Sequence, residues 1–371
     1  MSDLPELRRG PPWVMEEMIA AEPDLARSLF AARDVLSSAA MIAAAIRDRD
    51  DGHATGPVTI VGCGTSEHAA MAIAALLRLP LPDAVVNARQ AFEAALEPAR
   101  GGLCLAISHE GESAATMAAL TAAHRAGAGT ALITGIADAP ATKLADHVLV
   151  THLKDLSWCH TVGYLSPMLA GALITAELRG EPLDGTAMET YLRRCLELGA
   201  EAATVADALW GIDRLVICGS GVDRGSAREF ALKVEEGLHM PAVGRDLETE
   251  LHGHMVSADA RCGLVVIATE PRHSAERVAR AGQLLLAARR LGMPTAAIVS
   301  AEIAGAWPVD STSAGRLVLP DRGENPPILA ALTGAAIALQ LLTVGLVHAA
   351  GTNPDRIRRE EDAYRESAAL A

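Results

Sequence analysis

Aromatic side chains are scarce: Phe, Trp and Tyr together make up 3% of the 371 residues. A chain of this length has room for two domains, and half of its residues are apolar. Ala, Leu, Val and Ile must therefore fill the cores. Basic clusters are missing too. The net charge is −14, and Arg356, Arg358 and Arg359 are soon followed by acids. No surface suited to the phosphates of a nucleic acid is expected; an acidic balance chiefly favours solubility. Paired cysteines are also lacking. Cys63, Cys104, Cys159, Cys195, Cys218 and Cys262 are scattered without a C-x-x-C pair, several of them in strand-like runs. That suits buried free thiols in a reducing compartment. Residues 1–10 contain no apolar core and read as no secretory signal. A cytoplasmic location without membrane contact is the expectation. One stretch, 328–347, is twenty residues long without a formal charge, enough to span a bilayer. Its Ala, Gly and Thr content, its Gln340 and the soluble pattern around it favour a buried helix.

What is present is an alternation of strands and helices. Residues 12–47 read as helices broken at Glu22-Pro23, followed by a polar loop at 48–56. Strands are expected at 58–62, 84–87, 103–107, 129–133 and 147–150, with helices at 67–78, 112–126 and 158–179. After a joint at 181–185 and a long helix at 188–210, the alternation restarts. Strands are then expected at 214–218, 263–268, 294–299 and 315–319, and helices at 223–239, 273–291 and 327–349. This is the signature of parallel sheets covered on both faces. Val61-Gly62-Cys63-Gly64-Thr65 is echoed by Ile217-Cys218-Gly219-Ser220-Gly221, and Ile107-Ser108 by Ala268-Thr269. A repeat of about 160 residues is a tandem domain rather than a solenoid. The fold class is α/β, with two tandem doubly wound domains. The division expected is an N-terminal helical segment at 1–50, a first domain at 51–183, a second at 184–349 and a tail at 350–371.

Two loops carry the chemistry. Val61-Gly62-Cys63-Gly64-Thr65-Ser66 runs from strand to helix. There the unpartnered N–H groups of a helix start, a close-approaching glycine and two hydroxyls can hold an anion without lysine. Ser108-His109-Glu110-Gly111-Glu112-Ser113 follows the neighbouring core strand. Loops at the carboxyl ends of adjacent strands are where open α/β sheets bind ligands. A sugar or sugar-phosphate pocket is the leading reading, with Cys63, Gly64, Thr65, Ser66, Ser108, His109, Glu110 and Ser113 as candidate substrate contacts. The second copy lacks the hydroxyl-rich character of these loops, so only the first is expected to bind the anion. Ser and Thr at these positions also serve simply as helix caps.

These residues resemble the SIS (sugar isomerase) family, in particular the double-SIS isomerase module of glucosamine-6-phosphate synthase. The likeness extends to Ala231-Leu232-Lys233-Val234-Glu235-Glu236, His252-Gly253, the run 339–342 and Gly351-Thr352-Asn353-Pro354-Asp355. The resemblance implies an enzyme acting on a phosphorylated ketose, amino sugar or sugar–amine adduct by isomerisation, deamination or deglycation. It implies that Glu236 moves the proton between C1 and C2, and that His252, from the neighbouring subunit of a homodimer, helps open the ring. A carboxylate can take a proton α to a carbonyl, and an imidazole can shuttle one at a hydroxyl. No metal or redox cofactor is implied. His160, in Ser157-Trp158-Cys159-His160-Thr161, stands where the family has a loop beside the sugar and is a further substrate-contact candidate; capping the following helix is its alternative role.

Three departures qualify the likeness. The chain opens Met-Ser-Asp-Leu and runs directly into the module, so glutamine-dependent amination is not expected. The family's Schiff-base lysine would fall near Asp362, but no lysine follows Lys233. Glu110 replaces a phosphate-binding serine, and an anion facing a phosphate repels it unless it turns away. It equally suits a substrate bearing an amine. Two bland alternatives stand beside these readings: Glu236 as a surface partner of Lys233 at i,i+3 spacing, and the His252/His254 pair as a metal site, which the absence of H-E-x-x-H disfavours. A sugar-phosphate sensor that binds without turnover is the rival reading.

Overall fold

A computed structural model describes residues 5–48 and 56–370. The polar loop expected at 48–56 and the first domain boundary fall almost wholly outside them. The helices are α1 (Val14–Ala31) and α2 (Arg33–Arg47). The first sheet and its helices follow as β1 (Val58–Gly62), α3 (Thr65–Leu77), β2 (Val86–Gln90), α4 (Ala91–Leu96), β3 (Leu103–Ile107), α5 (Ala114–Arg125), β4 (Gly129–Thr134), β5 (His147–Val150) and α6 (Val162–Arg179). Then come α7 (Gly185–Leu196), α8 (Gly199–Leu209), β6 (Arg214–Gly219), α9 (Asp223–Leu238), β7 (Ala242–Asp246), α10 (Leu247–Leu251) and β8 (Cys262–Ala268). The chain ends with α11 (Ser274–Arg290), β9 (Thr295–Val299), β10 (Gly315–Val318), α12 (Pro327–Ala350) and α13 (Asp362–Ala368).

Both sheets are wholly parallel, with strand orders β2-β1-β3-β4-β5 and β10-β9-β8-β6-β7. The orders are equivalent, and each reverses direction once: between β1 and β3 in the first sheet, and between β6 and β8 in the second. The fold is therefore two tandem doubly wound α/β domains. By packing, the chain divides into two compact units. One holds Glu22–Asp155 and Val162–Thr190; the other holds residues up to Ala21, Leu156–Thr161 and everything from Tyr191 onward.

Central strands β1, β3, β8 and β9 are buried along their whole length, as continuous apolar runs in a doubly covered parallel sheet require. With few aromatics, packing relies on small residues at close approach. In the first unit α3 lies on α6, where a Cβ on Gly171 would come within 2.5 Å of Ile73 Cγ1. In the other unit α12 packs on α8 and α9. Helix α12 contains the uncharged stretch 328–347, and 89% of its most apolar window is buried inside the protein. The expected buried helix is what the structure contains.

Several boundaries differ from the sequence reading. Helix α1 runs through Pro23, and the break comes at Ala32, whose ψ of 117° turns the chain by 68°. A single proline removes one N–H, and Leu25, Ala26 and Leu29 stay buried beyond it. The helix expected at 188–210 is two helices, α7 and α8, meeting at Gly199. Edge strands β2 and β7 extend into the polar residues Arg89-Gln90 and Arg245-Asp246. A half-buried edge strand carries no apolar run, so the sequence reading had only the start of β2 and no strand at β7.

Candidate functional site

Residue Gly62 ends β1 against the first turn of α3: a Cβ there would sit 2.5 Å from the Ser66 carbonyl carbon. Gly64, at φ 55° and ψ −127°, then turns the chain into the helix. The Ser66 N–H reaches Cys63 O at 3.1 Å and the Glu67 N–H reaches Gly64 O at 2.9 Å. No side chain caps α3, so the positive end of its dipole faces outward beside the Thr65 and Ser66 hydroxyls. Thr65 is buried and Ser66 half-buried.

Because β3 pairs directly with β1, the loop that follows β3 meets this turn. Ser113, at the N-cap of α5, does not cap its own helix through its side chain. Its Oγ donates to Cys63 Sγ at 3.9 Å, and Gln90 Nε2 donates to the same sulfur at 3.6 Å. Three strand ends, β2, β1 and β3, thus converge on Cys63 at the point where the strand order reverses, the crevice in which doubly wound sheets take ligands. Gln90 was not among the sequence candidates. The register Gly62↔Gln90 places it there, and its position at a strand end was hidden by the missed half of β2.

Ser108 and His109 are buried. The Ser108 N–H donates to Ile133 O at 3.1 Å. The His109 imidazole is turned into the fold, where its Nε2 accepts the Asp155 N–H at 2.8 Å. Asp155 in turn accepts the Gly163 N–H at 3.0 Å, anchoring the start of α6. A Cβ on Gly135 would strike His109 Cε1 at 2.8 Å, so the ring fills the space beside β4. Glu110 is half-buried and makes no hydrogen bond or ion pair among the described residues.

The other unit carries Glu236. Helical spacing sets Glu229, Lys233 and Glu236 on one face of α9. Lys233 is fully buried, 3.5 Å from Glu229 Oε1 and 2.5 Å from Glu236 Oε2. Burial opposes its charge, but the carboxylates of Glu236 and Glu229 outweigh that and hold the ammonium above the usual lysine range. Glu236 keeps 20% of its side chain exposed. The segment Leu156–Thr161 belongs to this unit. Cys159 Sγ lies 3.9 Å from Lys233 O, Gln340 Nε2 donates to Thr161 O at 3.3 Å, and the Trp158 N–H donates to Asp355 O at 2.9 Å. His160 sits half-buried within this segment. The loop after α12 closes the arrangement. Thr352 Oγ1 donates to Gly237 O at 2.7 Å, and the buried Asp355 carboxylate accepts the Val14 and Met15 N–H groups at 2.9 Å each. Burial pushes the Asp355 carboxyl above its usual value despite those bonds.

His252 is 70% exposed at the end of α10, with Nδ1 3.0 Å from Glu248 Oε1; Glu248 also takes Arg280 at 2.6 Å. Within one chain its partner is therefore Glu248 rather than Glu236. Among the described residues no cluster of His, Cys, Asp or Glu is placed to hold a metal ion.

The second sheet's reversal point is filled from within. Gly219 repeats the constraint on Gly62, since its Cβ would lie 2.3 Å from Asp223 O. Asp223 thus occupies the position of Ser66. Its carboxylate accepts Thr269 N–H at 2.8 Å, Thr269 Oγ1 at 2.5 Å and Glu270 N–H at 3.0 Å. Burial pushes its carboxyl up to about 6, against the pull of the Thr269 and Glu270 bonds. Glu270 accepts the Val222 N–H at 3.0 Å and two nitrogens of the Arg272 guanidinium at 2.8 and 2.9 Å.

A duplicated doubly wound fold with a hydroxyl-lined turn at its first reversal point defines the class, and residues 56–170 match the SIS domain model. That match spans the five strands of the first sheet. It is 27% identical over 263 residues to a glutamine–fructose-6-phosphate aminotransferase (isomerizing) of Zymomonas mobilis, covering 64% of this chain and 43% of that protein. The chain thus spans less than half the length of that relative. The C-terminal domain of glucosamine-fructose-6-phosphate aminotransferase from Francisella tularensis shares the fold with a TM-score of 0.79, at 18% identity, over 95% of this chain and 100% of that one. Tagatose-6-phosphate ketose/aldose isomerase from Escherichia coli does so with a TM-score of 0.76, at 21% identity, over 93% and 95%.

Proposed function

We propose that this protein is a phosphosugar enzyme that catalyses aldose–ketose isomerisation, or the related deamination or deglycation of an amino-sugar or fructosamine phosphate. In this reading Thr65, Ser66, Ser108 and Ser113 hold the phosphate, with the outward dipoles of α3 and α5 behind them. Cys63, Gly64 and Gln90 shape the crevice. The Glu236 carboxylate removes the proton α to the open-chain carbonyl, giving an enediol, and returns it to the adjacent carbon. Lys233 fixes that carboxylate in position. His252, supplied by the partner of a homodimer, moves the proton at the ring oxygen, consistent with its exposure and its lack of any bond to Glu236 in its own chain. Glu110, without a partner among the described residues, favours a substrate that brings a cation, hence an amine. His160 contacts the sugar, and His109 supports the loop from behind. A cytoplasmic setting accords with the free cysteines.

The convergence of Ser113, Gln90 and the Gly64 turn on Cys63 carries this reading. The test is a panel of fructose 6-phosphate, glucosamine 6-phosphate and a fructosamine 6-phosphate, followed by thermal shift, product analysis and ammonia release. Glu236→Gln should abolish turnover while ligand still binds. Wild-type rates in that variant would remove Glu236 from the mechanism, and stabilisation across the panel without product would favour a sensor. Free sugars stabilising as well as their phosphates would overturn the phosphate assignment.

A further inference from the structure

A cavity of about 310 Å³ opens at the carboxyl ends of β8, β9 and β10, built wholly from the unit that carries the second sheet. It lies beside the reversal point that Asp223 and Glu270 fill. Its floor is firm: the Ser300 N–H donates to Ala268 O at 3.3 Å and the Leu319 N–H to Val299 O at 2.8 Å. Tyr191 forms part of the wall, its hydroxyl donating to Ala330 O at 3.0 Å. Ile303, Leu319 and Pro320 supply an apolar side. The volume is at the lower end of the range for small-molecule sites, about 300–1,000 Å³.

The polar lining is what suggests a ligand. Glu302, exposed, and Arg322, half-buried, both line the cavity yet form no ion pair with each other. Glu302 makes no hydrogen bond or ion pair among the described residues. Arg322 spends only Nη1, on Gly323 O at 3.2 Å and Asn325 O at 2.6 Å. The Ser274 and Ser300 hydroxyls are likewise without partners among the described residues. Ser274 and Pro327 are the first residues of α11 and α12, and neither helix has a side-chain cap. The lining therefore offers the unpaired Glu302 carboxylate, the Glu270 carboxylate already bonded to the Val222 N–H and Arg272, one guanidinium and two positive helix ends. In the first sheet the comparable space is occupied by the His109 ring. Glu270, which follows Thr269 as His109 follows Ser108, turns to the Val222 N–H instead, and the space stays open.

We propose that this cavity is a second binding site, for a small zwitterion of up to monosaccharide size. Its ammonium pairs with Glu302, its phosphate or carboxylate with Arg322 and the helix ends, and its hydroxyls with Ser274 and Ser300. The proposal does not depend on what the loops of the first sheet hold. An amino-sugar phosphate and a free amino acid share this chemistry, and the experiment separates them.

Calorimetric titrations of the full chain would use glucosamine 6-phosphate, glucose 6-phosphate (no amine), glucosamine (no phosphate) and serine, each against wild type, Glu302→Gln, Ser300→Trp and Ser66→Asp. Glu302 is exposed, so its variant should fold, and circular dichroism checks both cavity variants. The expected result is a binding event for glucosamine 6-phosphate or serine that weakens at least tenfold in Glu302→Gln, disappears in Ser300→Trp and survives in Ser66→Asp. Whichever of the two binds more tightly identifies the source. Binding that tracks Ser66 but ignores Glu302 and Ser300 would overturn this proposal and leave the first-sheet assignment standing. Two events, one tracking Ser66 and the other tracking Glu302 and Ser300, would support both assignments, and a single event that tracks Glu302 and Ser300 but ignores Ser66 would support this proposal alone. Equal affinity of the Ser300-dependent event for glucose 6-phosphate, or no heat from any probe, would also overturn it.

Discussion

Replacing Lys233 with methionine keeps the length of the side chain and removes the cation from between two carboxylates. Glu229, 1% exposed, is then left without its ammonium, and Glu236, 20% exposed, loses the other half of the bridge. Removing one member of a buried ion pair costs about 3–5 kcal/mol. Partial solvation of Glu236, and the option for Glu229 to take up a proton, set the expected loss near the lower figure, about 3 kcal/mol at neutral pH. The pH dependence gives a second readout. Lys233 has a folded pKa above its unfolded one. Its contribution is therefore complete below the unfolded value, about 10.4, and fades only as pH rises through the folded value. The wild-type pair should add no slope between about pH 6 and pH 9. In Lys233→Met, Glu229 stays buried without the Lys233 ammonium, and burial disfavours the charged form of an acid, so the penalty should shrink as pH falls. Urea unfolding followed by circular dichroism across that range measures both effects. A loss below about 1 kcal/mol at neutral pH, or a loss independent of pH, would refute the view of Lys233 as a buried, charge-balanced bridge. The double variant Glu229→Gln/Lys233→Met should recover part of the loss.

Three further outcomes are expected. Ser66→Asp places an acid where the second sheet has Asp223, and should weaken sugar-phosphate binding at least tenfold with little change in melting temperature; unchanged affinity by calorimetry would separate this turn from the ligand. Asp355→Ala removes the acceptor of the Val14 and Met15 N–H groups, and should cost about 2 kcal/mol in chemical unfolding, with a loss under about 0.5 kcal/mol counting against the tether. Gly171→Ala forces a methyl to within 2.5 Å of Ile73 Cγ1, and should lower stability by about 1–3 kcal/mol; a neutral thermal scan would show that α3 and α6 can separate freely.

The alternation of apolar runs with Ala-rich helices was legible because a parallel strand covered on both faces must be apolar throughout: β1, β3 and β8 lie within a residue of where the sequence puts them. Edge strands were legible only in part. Residues Ala242–Asp246 of β7 are all half-buried, so no periodicity marks them, and the polar end of β2 concealed Gln90 with it. The two anion-loop candidates were readable from hydroxyls and glycines beside strand ends. The inward turn of His109 was not, since it depends on an N–H contributed by Asp155, far along the chain. Nor could spacing alone tell that Lys233, an unremarkable i,i+3 neighbour of Glu236, is fully buried and bonded to two acids.

The two sheets began with the same geometry and solved one electrostatic problem in opposite ways. Each reversal point brings a glycine-bounded strand end against the first turn of a helix, so Gly62 and Gly219 obey the same steric limit. Each therefore gathers N–H groups and a helix dipole that attract negative charge. In the second sheet that charge is built in: Asp223 and Glu270 accept the N–H groups of Thr269, Glu270 and Val222, with Arg272 balancing the second acid. In the first sheet the corresponding positions are the neutral Ser66 and the inward-facing His109. A donor-rich crevice that supplies its own anion has no need of a ligand, whereas one that does not is suited to take an anion from solution. Glu270, held by the Val222 N–H and Arg272, lines the cavity at the ends of β8, β9 and β10 without filling it, and leaves the space that Glu302 and Arg322 also border.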